Sequence, residues 1–128
     1  MKVLIDTHAA LWFAEGSPRL SGEARSILEN NRHELLFSVA SLWEMAIKFS
    51  LNKLLFQGSF DNLLQLLLDR LRLNVLPISV EHTIATSSLP FHHRDPFDRM
   101  LAAQVLFERI PLLSADASFD AYGVERLW

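Results

Sequence analysis

The run Lys2-Val3-Leu4-Ile5-Asp6 sets the reading of the whole chain. Three large aliphatic residues in a row, ended by a carboxylate, read as a short buried strand with an acid where the chain leaves the sheet. A short helix over residues 8–15 is expected next, broken at Ser17-Pro18. Working outward, Ser21 caps a helix to about residue 30, and residues 35–38 form a second strand. A strongly apolar helix runs from about residue 40 to 51. Ser59 caps a further helix, in which Phe60, Leu63, Leu64, Leu67, Leu68 and Leu71 recur at helical spacing. Residues 74–78 are a third strand, Ser79 caps a helix ending before Pro90, and residues 91–94 form a loop. Asp95-Pro96 opens a helix over residues 97–108, with proline at the first helical position, where its missing N–H does no harm. Residues 110–114 are a fourth strand, residues 117–121 a short helix or turn, and residues 124–127 an edge strand. Strands alternating with helices predict an α/β fold: a mainly parallel sheet of four or five strands, covered by helices on both faces. In such sheets the functional crevice lies beyond the carboxyl ends of the strands.

Composition narrows the function classes. A chain of 128 residues with one core and no linker is expected to be a single domain, residues 1–128. Half of it is hydrophobic and 21% is charged, which suits a packed protein and argues against disorder. It has no cysteine, so disulfides and thiolate metal sites are excluded. No apolar run reaches membrane-spanning length, so a cytoplasmic protein with no membrane association is expected. The net charge of −3 is unusual for a binder of phosphates, but it fits carboxylates reserved for divalent cations.

Four carboxylates fall where chemistry is expected. Asp6 follows the first strand, where it would serve equally as a helix N-cap. Glu44 shares an otherwise apolar stretch with Lys48 alone, so it needs either that i,i+4 partner or a metal. Asp95 and Asp98 bracket Pro96-Phe97: capping is the better account of Asp95, while the helix dipole keeps Asp98 ionised. Asp116 follows the fourth strand as a catalytic acid or a turn residue. Asp120 reads as a surface or turn residue. Held together, Asp6, Glu44, Asp98 and Asp116 would repel one another unless a cation sat among them. Oxygen donors without cysteine select Mg²⁺ or Mn²⁺, and the chemistry such a site suits is attack of water on a phosphodiester.

Four segments then give a resemblance. Val3-Leu4-Ile5-Asp6-Thr7-His8, Ser38-Val39-Ala40-Ser41-Leu42-Trp43-Glu44, the run from His93 through Asp98 to Gln104, and Leu113-Ser114-Ala115-Asp116 occur in the order of the PIN-domain ribonucleases. The chain resembles in particular the VapC-type toxins of bacterial toxin–antitoxin pairs. His93-Arg94-Asp95-Pro96-Phe97-Asp98-Arg99 is the most specific stretch. The resemblance implies a PIN-like three-layer α/β/α fold and a metal-dependent endoribonuclease that hydrolyses RNA with a metal-activated water. It assigns the catalytic and metal-binding roles to Asp6, Glu44, Asp98 and Asp116, with Asp95 an additional acid and Thr7 and Ser114 supporting hydroxyls. It further implies a homodimer, and an antitoxin whose segment lies in a groove near Trp12, Phe13, Trp43 and Phe49 and blocks the site. His93, Arg94 and Arg99 are candidate RNA contacts.

The histidines add no metal reading of their own. His92-His93 are neighbours that point apart, no third ligand supports zinc, and His8 and His82 are expected to be helix-surface or half-buried residues. Two rivals fare poorly. A phosphatase of the haloacid-dehalogenase type wants a second acid where this chain has His8. A metal-free PIN-like binding module would be expected to lack one of the four acids, and all four are present.

Overall fold

A computed structural model describes residues 1–128. Its elements are β1 (Lys2–Ile5), α1 (Thr7–Glu15), α2 (Gly22–Glu29), β2 (Glu34–Ser38), α3 (Val39–Ser50), α4 (Phe60–Arg70), β3 (Asn74–Leu76), α5 (Val80–Ser88), α6 (Pro96–Glu108), β4 (Leu112–Leu113), a 3₁₀ helix (Ala117–Tyr122) and β5 (Arg126–Leu127). The five strands form one sheet in the order β3-β2-β1-β4-β5, and every pairing is parallel.

Alternation along the strands builds the two cores. Val3, Ile5, Leu35, Phe37 and Leu113 face one side, where they meet Ala9 and Ala10 of α1, Ala24 and Leu28 of α2, Met45 of α3, and Leu63 and Leu67 of α4. Leu4, Leu36 and Leu112 face the other side and meet Leu101, Ala102 and Val105 of α6, with Phe119 and Tyr122 of the 3₁₀ helix. Because successive side chains on a strand point to opposite faces, a parallel sheet with both faces covered reads as a continuous apolar run. This is the expected α/β/α layering, with all five strands parallel.

Caps set most helix boundaries. Ser21, Ser59 and Ser79 accept from Ala24, Asn62 and His82 backbone N–H groups as their positions suggested, and His82 returns the bond to Ser79 in a capping box. Three strands are shorter than expected. β3 stops at Leu76 because Pro77 has no N–H to donate, and β4 begins only after Pro111 for the same reason. β5 is reduced to Arg126–Leu127. His82 is buried, not superficial: α5 and α6 close over it beside Gln104.

From β1 the chain steps outward to β2 and β3, then returns to lay β4 on the other side of β1. The crevice between the carboxyl ends of β1 and β4 is therefore the point at which the winding reverses, where open α/β sheets bind ligands.

Candidate active site

Asp6 and Ser114 flank that crevice. The Asp6 backbone N–H still bonds to the Leu113 carbonyl at 3.0 Å, extending the β1–β4 ladder by one residue. Asp6 occupies the N-cap position of α1, yet its side chain caps nothing. Instead its carboxylate accepts the Ser114 hydroxyl at 2.6 Å, and the Ser114 oxygen in turn accepts the Asp116 N–H at 3.1 Å. One hydroxyl thus ties the acid after β1 to the acid after β4. Burial raises the Asp6 pKa above its usual value, with Glu44 adding to the effect, while the Ser114 bond and His8 oppose it.

Asp98 lies in the first turn of α6. Asp95 caps that helix by accepting from the Phe97 and Asp98 N–H groups at 2.8 and 3.2 Å, which leaves the Asp98 side chain free of capping work. Burial, and then the negative charges of Asp95, Asp6, Glu44 and Asp116, push the Asp98 pKa up to about 7. Three segments far apart in sequence therefore bring acidic groups within electrostatic reach of one residue. Asp116 is displaced the other way. Its partial burial works to raise the pKa, but the bonds from Ser118 and the nearness of His93 and Arg126 outweigh it and lower the value.

Glu44 is 9% exposed on the buried side of α3 and forms the i,i+4 ion pair with Lys48 at 3.4 Å. The pair and the influence of Glu44 on Asp6 and Asp98 coexist, because one ammonium neutralises one carboxylate edge and leaves the cluster acidic. Asp120 is committed elsewhere, bound by Arg126 through two bonds of 2.9 and 3.2 Å.

His93, expected as an RNA contact, lies against the acids themselves. Its Nε2 lies 3.2 Å from Asp98 Oδ2 and 3.8 Å from Asp116 Oδ2, and the three residues can bring ligand atoms within 4.8 Å of one another. Its Nδ1 accepts the Asp95 N–H at 3.0 Å, so the ring proton sits on Nε2 and is directed at the two carboxylates. In this arrangement His93 is a donor bridging the acids, not a lone-pair ligand. The signal that would have found it is its place five residues before Asp98, in a loop forced back over the helix start.

Arg99, expected as an RNA contact, turns inward instead. It is 8% exposed, and its guanidinium donates to the carbonyls of Pro90, Thr86 and Leu89 at 2.8, 3.1 and 3.2 Å. Those donors close the carboxyl end of α5 and anchor the following loop, so they are spent on structure and cannot serve as a phosphate clamp. Arg94 is exposed and makes no ion pair. Thr7 is buried with no partner for its hydroxyl, so of the two expected supporting hydroxyls only Ser114 bonds within the site.

The expected apolar groove residues also separate. Trp12 packs edge-on against Trp128, Phe13 lies under Arg25, and Phe49 packs on Phe60. The nearby groove is lined by Leu11 and Ala14 of α1, Leu54, Leu55 and Phe56 of the α3–α4 connection, and Leu66 of α4. Trp43 lies apart from it, packed edge-on against Phe97 beside the acids.

The PIN-domain family model matches residues 3–125. The chain is a PIN domain. That is a nuclease family, so hydrolysis of nucleic acid is the activity its acid cluster has to explain. Solved structures share the PIN fold across nearly the whole chain. A chain of VapBC2 from Rickettsia felis bound to a DNA fragment from its promoter aligns with TM-score 0.73 and 14% identity, over 99% of this chain and 98% of that one. FitAcB from Neisseria gonorrhoeae aligns with TM-score 0.65 and 19% identity over 98% and 96%. VapBC-1 from nontypeable Haemophilus influenzae aligns with TM-score 0.67 and 16% identity over 99% and 97%. At these identities the likeness is one of fold. No curated protein matches the chain in sequence.

The donor set suits a hard divalent cation. It offers carboxylate oxygens without any thiolate, and an Asp98 whose pKa is raised by burial and four neighbouring acids gains directly from a positive charge placed among them.

Proposed function

We propose that this PIN domain, acting as one unit over residues 1–128, is a Mg²⁺- or Mn²⁺-dependent endoribonuclease and the toxin of a VapBC-type pair. The observation that carries the reading is the convergence of Asp6, Glu44, Asp95 and Asp116 on Asp98, at the sheet's switch point. Such crowding disfavours the ionised state of a folded protein and is kept where a function needs it.

Asp6, Asp98 and Asp116 would hold the cation, with Glu44 beside them. When bound, the cation would polarise a phosphodiester and water toward hydrolysis. Ser114 keeps the Asp6 carboxylate oriented and favours its ionised form. Glu44 is positioned to take up a proton from the attacking water. The His93 Nε2–H is directed at the same acids, and the exposed Arg94 offers a bidentate contact to an RNA phosphate.

The α1–α4 groove is the surface we assign to an apolar antitoxin segment, and Val80 with Ile84 on α5 is the exposed stripe offered to a second copy. No helix is long and apolar enough to cross a membrane. We place the activity in the cytoplasm, where its RNA would be met.

The test is cleavage of single-stranded RNA with Mn²⁺, with and without chelator. Wild-type protein is expected to cut, and Asp6→Asn or Asp98→Asn to lose at least a hundredfold in rate. Full activity in Asp98→Asn, or cleavage indifferent to chelator, would remove the proposed centre.

A further inference from the structure

We propose that the cavity between α3, the start of α6 and the loop of residues 89–94 is a subsite for one unstacked base of single-stranded RNA. It rests on the ribonuclease reading and adds to it the place where a base of the substrate would stack. The cavity measures about 420 Å³, and its wall includes Trp43, Phe91, Arg94 and Phe97. Three of these are chain neighbours of the acid site: Trp43 precedes Glu44, Phe97 precedes Asp98, and Arg94 follows His93. None of the acids lines the cavity itself, so a base seated there would reach the carboxylates through its own phosphate.

Two rings in this wall face water, Trp43 at 61% and Phe91 at 82% exposure. Neither is loose. Trp43 is held edge-on by Phe97, with centroids 5.2 Å apart. One face of Phe91 lies 4.1 Å from the Arg99 guanidinium, which is itself fixed by three carbonyls. Rings held in place by their neighbours, with a free face turned to solvent, are stacking platforms that lose little entropy on binding. Bases in a duplex are already stacked and cannot enter, whereas those of a single strand or loop can be splayed onto aromatic rings. Arg94, exposed and without a carboxylate partner, supplies the charge complement for the adjoining phosphate. A second copy of the chain fits this wall less well, because covering it would bury Arg94 unless the copy brought an acid to meet it.

The test uses a fluorescent unstructured oligoribonucleotide and the same sequence locked in a hairpin stem. Affinity is read by anisotropy in an Asp98→Asn background without turnover, and KM in the active enzyme with Mn²⁺. Phe91→Ala and Trp43→Ala are each expected to weaken single-strand affinity and raise KM roughly tenfold. Phe91→Tyr is expected to restore both, stem binding to stay unchanged, and Mn²⁺ affinity to match wild type. Loss of single-strand affinity in the alanine variants supports the subsite even if wild-type protein cuts no RNA, an outcome that would sink only the ribonuclease reading. Active enzyme whose affinity and KM ignore both alanine substitutions overturns the subsite alone. A dimer that becomes monomeric in either variant, with RNA affinity intact, makes this wall an interface between copies and also overturns it.

Discussion

At Asp98, burial and four neighbouring acids act in one direction and hold the pKa near 7. In the unfolded chain the group titrates near its ordinary value of 3.8, so between those values the folded state binds a proton that the unfolded state has lost. The stability of the metal-free protein therefore falls as pH rises from about 4 to about 7. Asp98→Asn removes that loss. In chelator at pH 8 the variant is expected to melt several degrees above wild type, with the gap closing near pH 4. Added Mn²⁺ is expected to narrow it from the other side, by raising wild type alone. Thermal melts at the two pH values check the sign; a variant less stable at pH 8 would contradict it. Ser114 works in the opposite sense, since its hydroxyl lowers the Asp6 pKa. Ser114→Ala is expected to slow cleavage about tenfold, the worth of one hydrogen bond to a charged group, and to be partly rescued by more Mn²⁺. The positions of Asp6, Asp98 and Asp116 could be read from sequence because each follows a strand or opens a helix. The role of His93 could not, because it depends on a loop that Tyr122 pulls into place through a 2.8 Å bond from the His93 N–H, across 29 residues.

That loop belongs to the scale of elements, where Arg99 makes the decisive contacts. An unpaired helix end leaves carbonyls without donors, and α5 finds them in α6. One guanidinium spans the carbonyls of Thr86, Leu89 and Pro90 and carries Phe91 on its face. Arg99→Ala is expected to destabilise the protein by on the order of 2 kcal/mol, read from urea unfolding, because it removes a buried guanidinium and strands three part-buried acceptors together. Arg99→Lys should recover little, since a compact ammonium cannot span three separated carbonyls. Loss of activity in Arg99→Ala with unchanged stability would instead return Arg99 to the RNA. The elements themselves were legible wherever a serine cap met an apolar repeat, as at Ser21, Ser59 and Ser79. They were less legible where proline trimmed a strand, because Pro77 and Pro111 interrupt pairing without interrupting the apolar pattern. Arg99 shows the other limit: a positive charge beside an acid motif reads as a ligand clamp until the helix it caps is known.

On the scale of the molecule, two unlike surfaces remain to be matched to partners. The acid site lies at the switch point of the sheet, while the α1–α4 groove opens over the core on the face carrying α1 and α4. Leu55 and Leu66 stand exposed at this groove, at 90% and 51%, with Glu15 and Arg70 among its few polar neighbours. An apolar helix stripe with a basic end would cover the leucines and carry a cation toward a protein whose net charge is −3. The sequence showed an excess of large apolar residues but not where they would surface. Trp43 was grouped with Trp12 for that reason, although Trp43 lines the cavity beside Phe97 and Trp12 packs against Trp128. If the groove holds the antitoxin, Leu66→Glu should place an unpaired charge in the apolar contact and weaken antitoxin binding at least a hundredfold, measured by calorimetry. RNA cleavage by the free variant should stay at the wild-type rate, because Leu66 is on α4, which contributes no residue to the acid cluster. The cognate antitoxin would then fail to silence the variant while still silencing wild type. Undiminished inhibition of Leu66→Glu would show that the antitoxin docks elsewhere, and would leave the groove as surplus core.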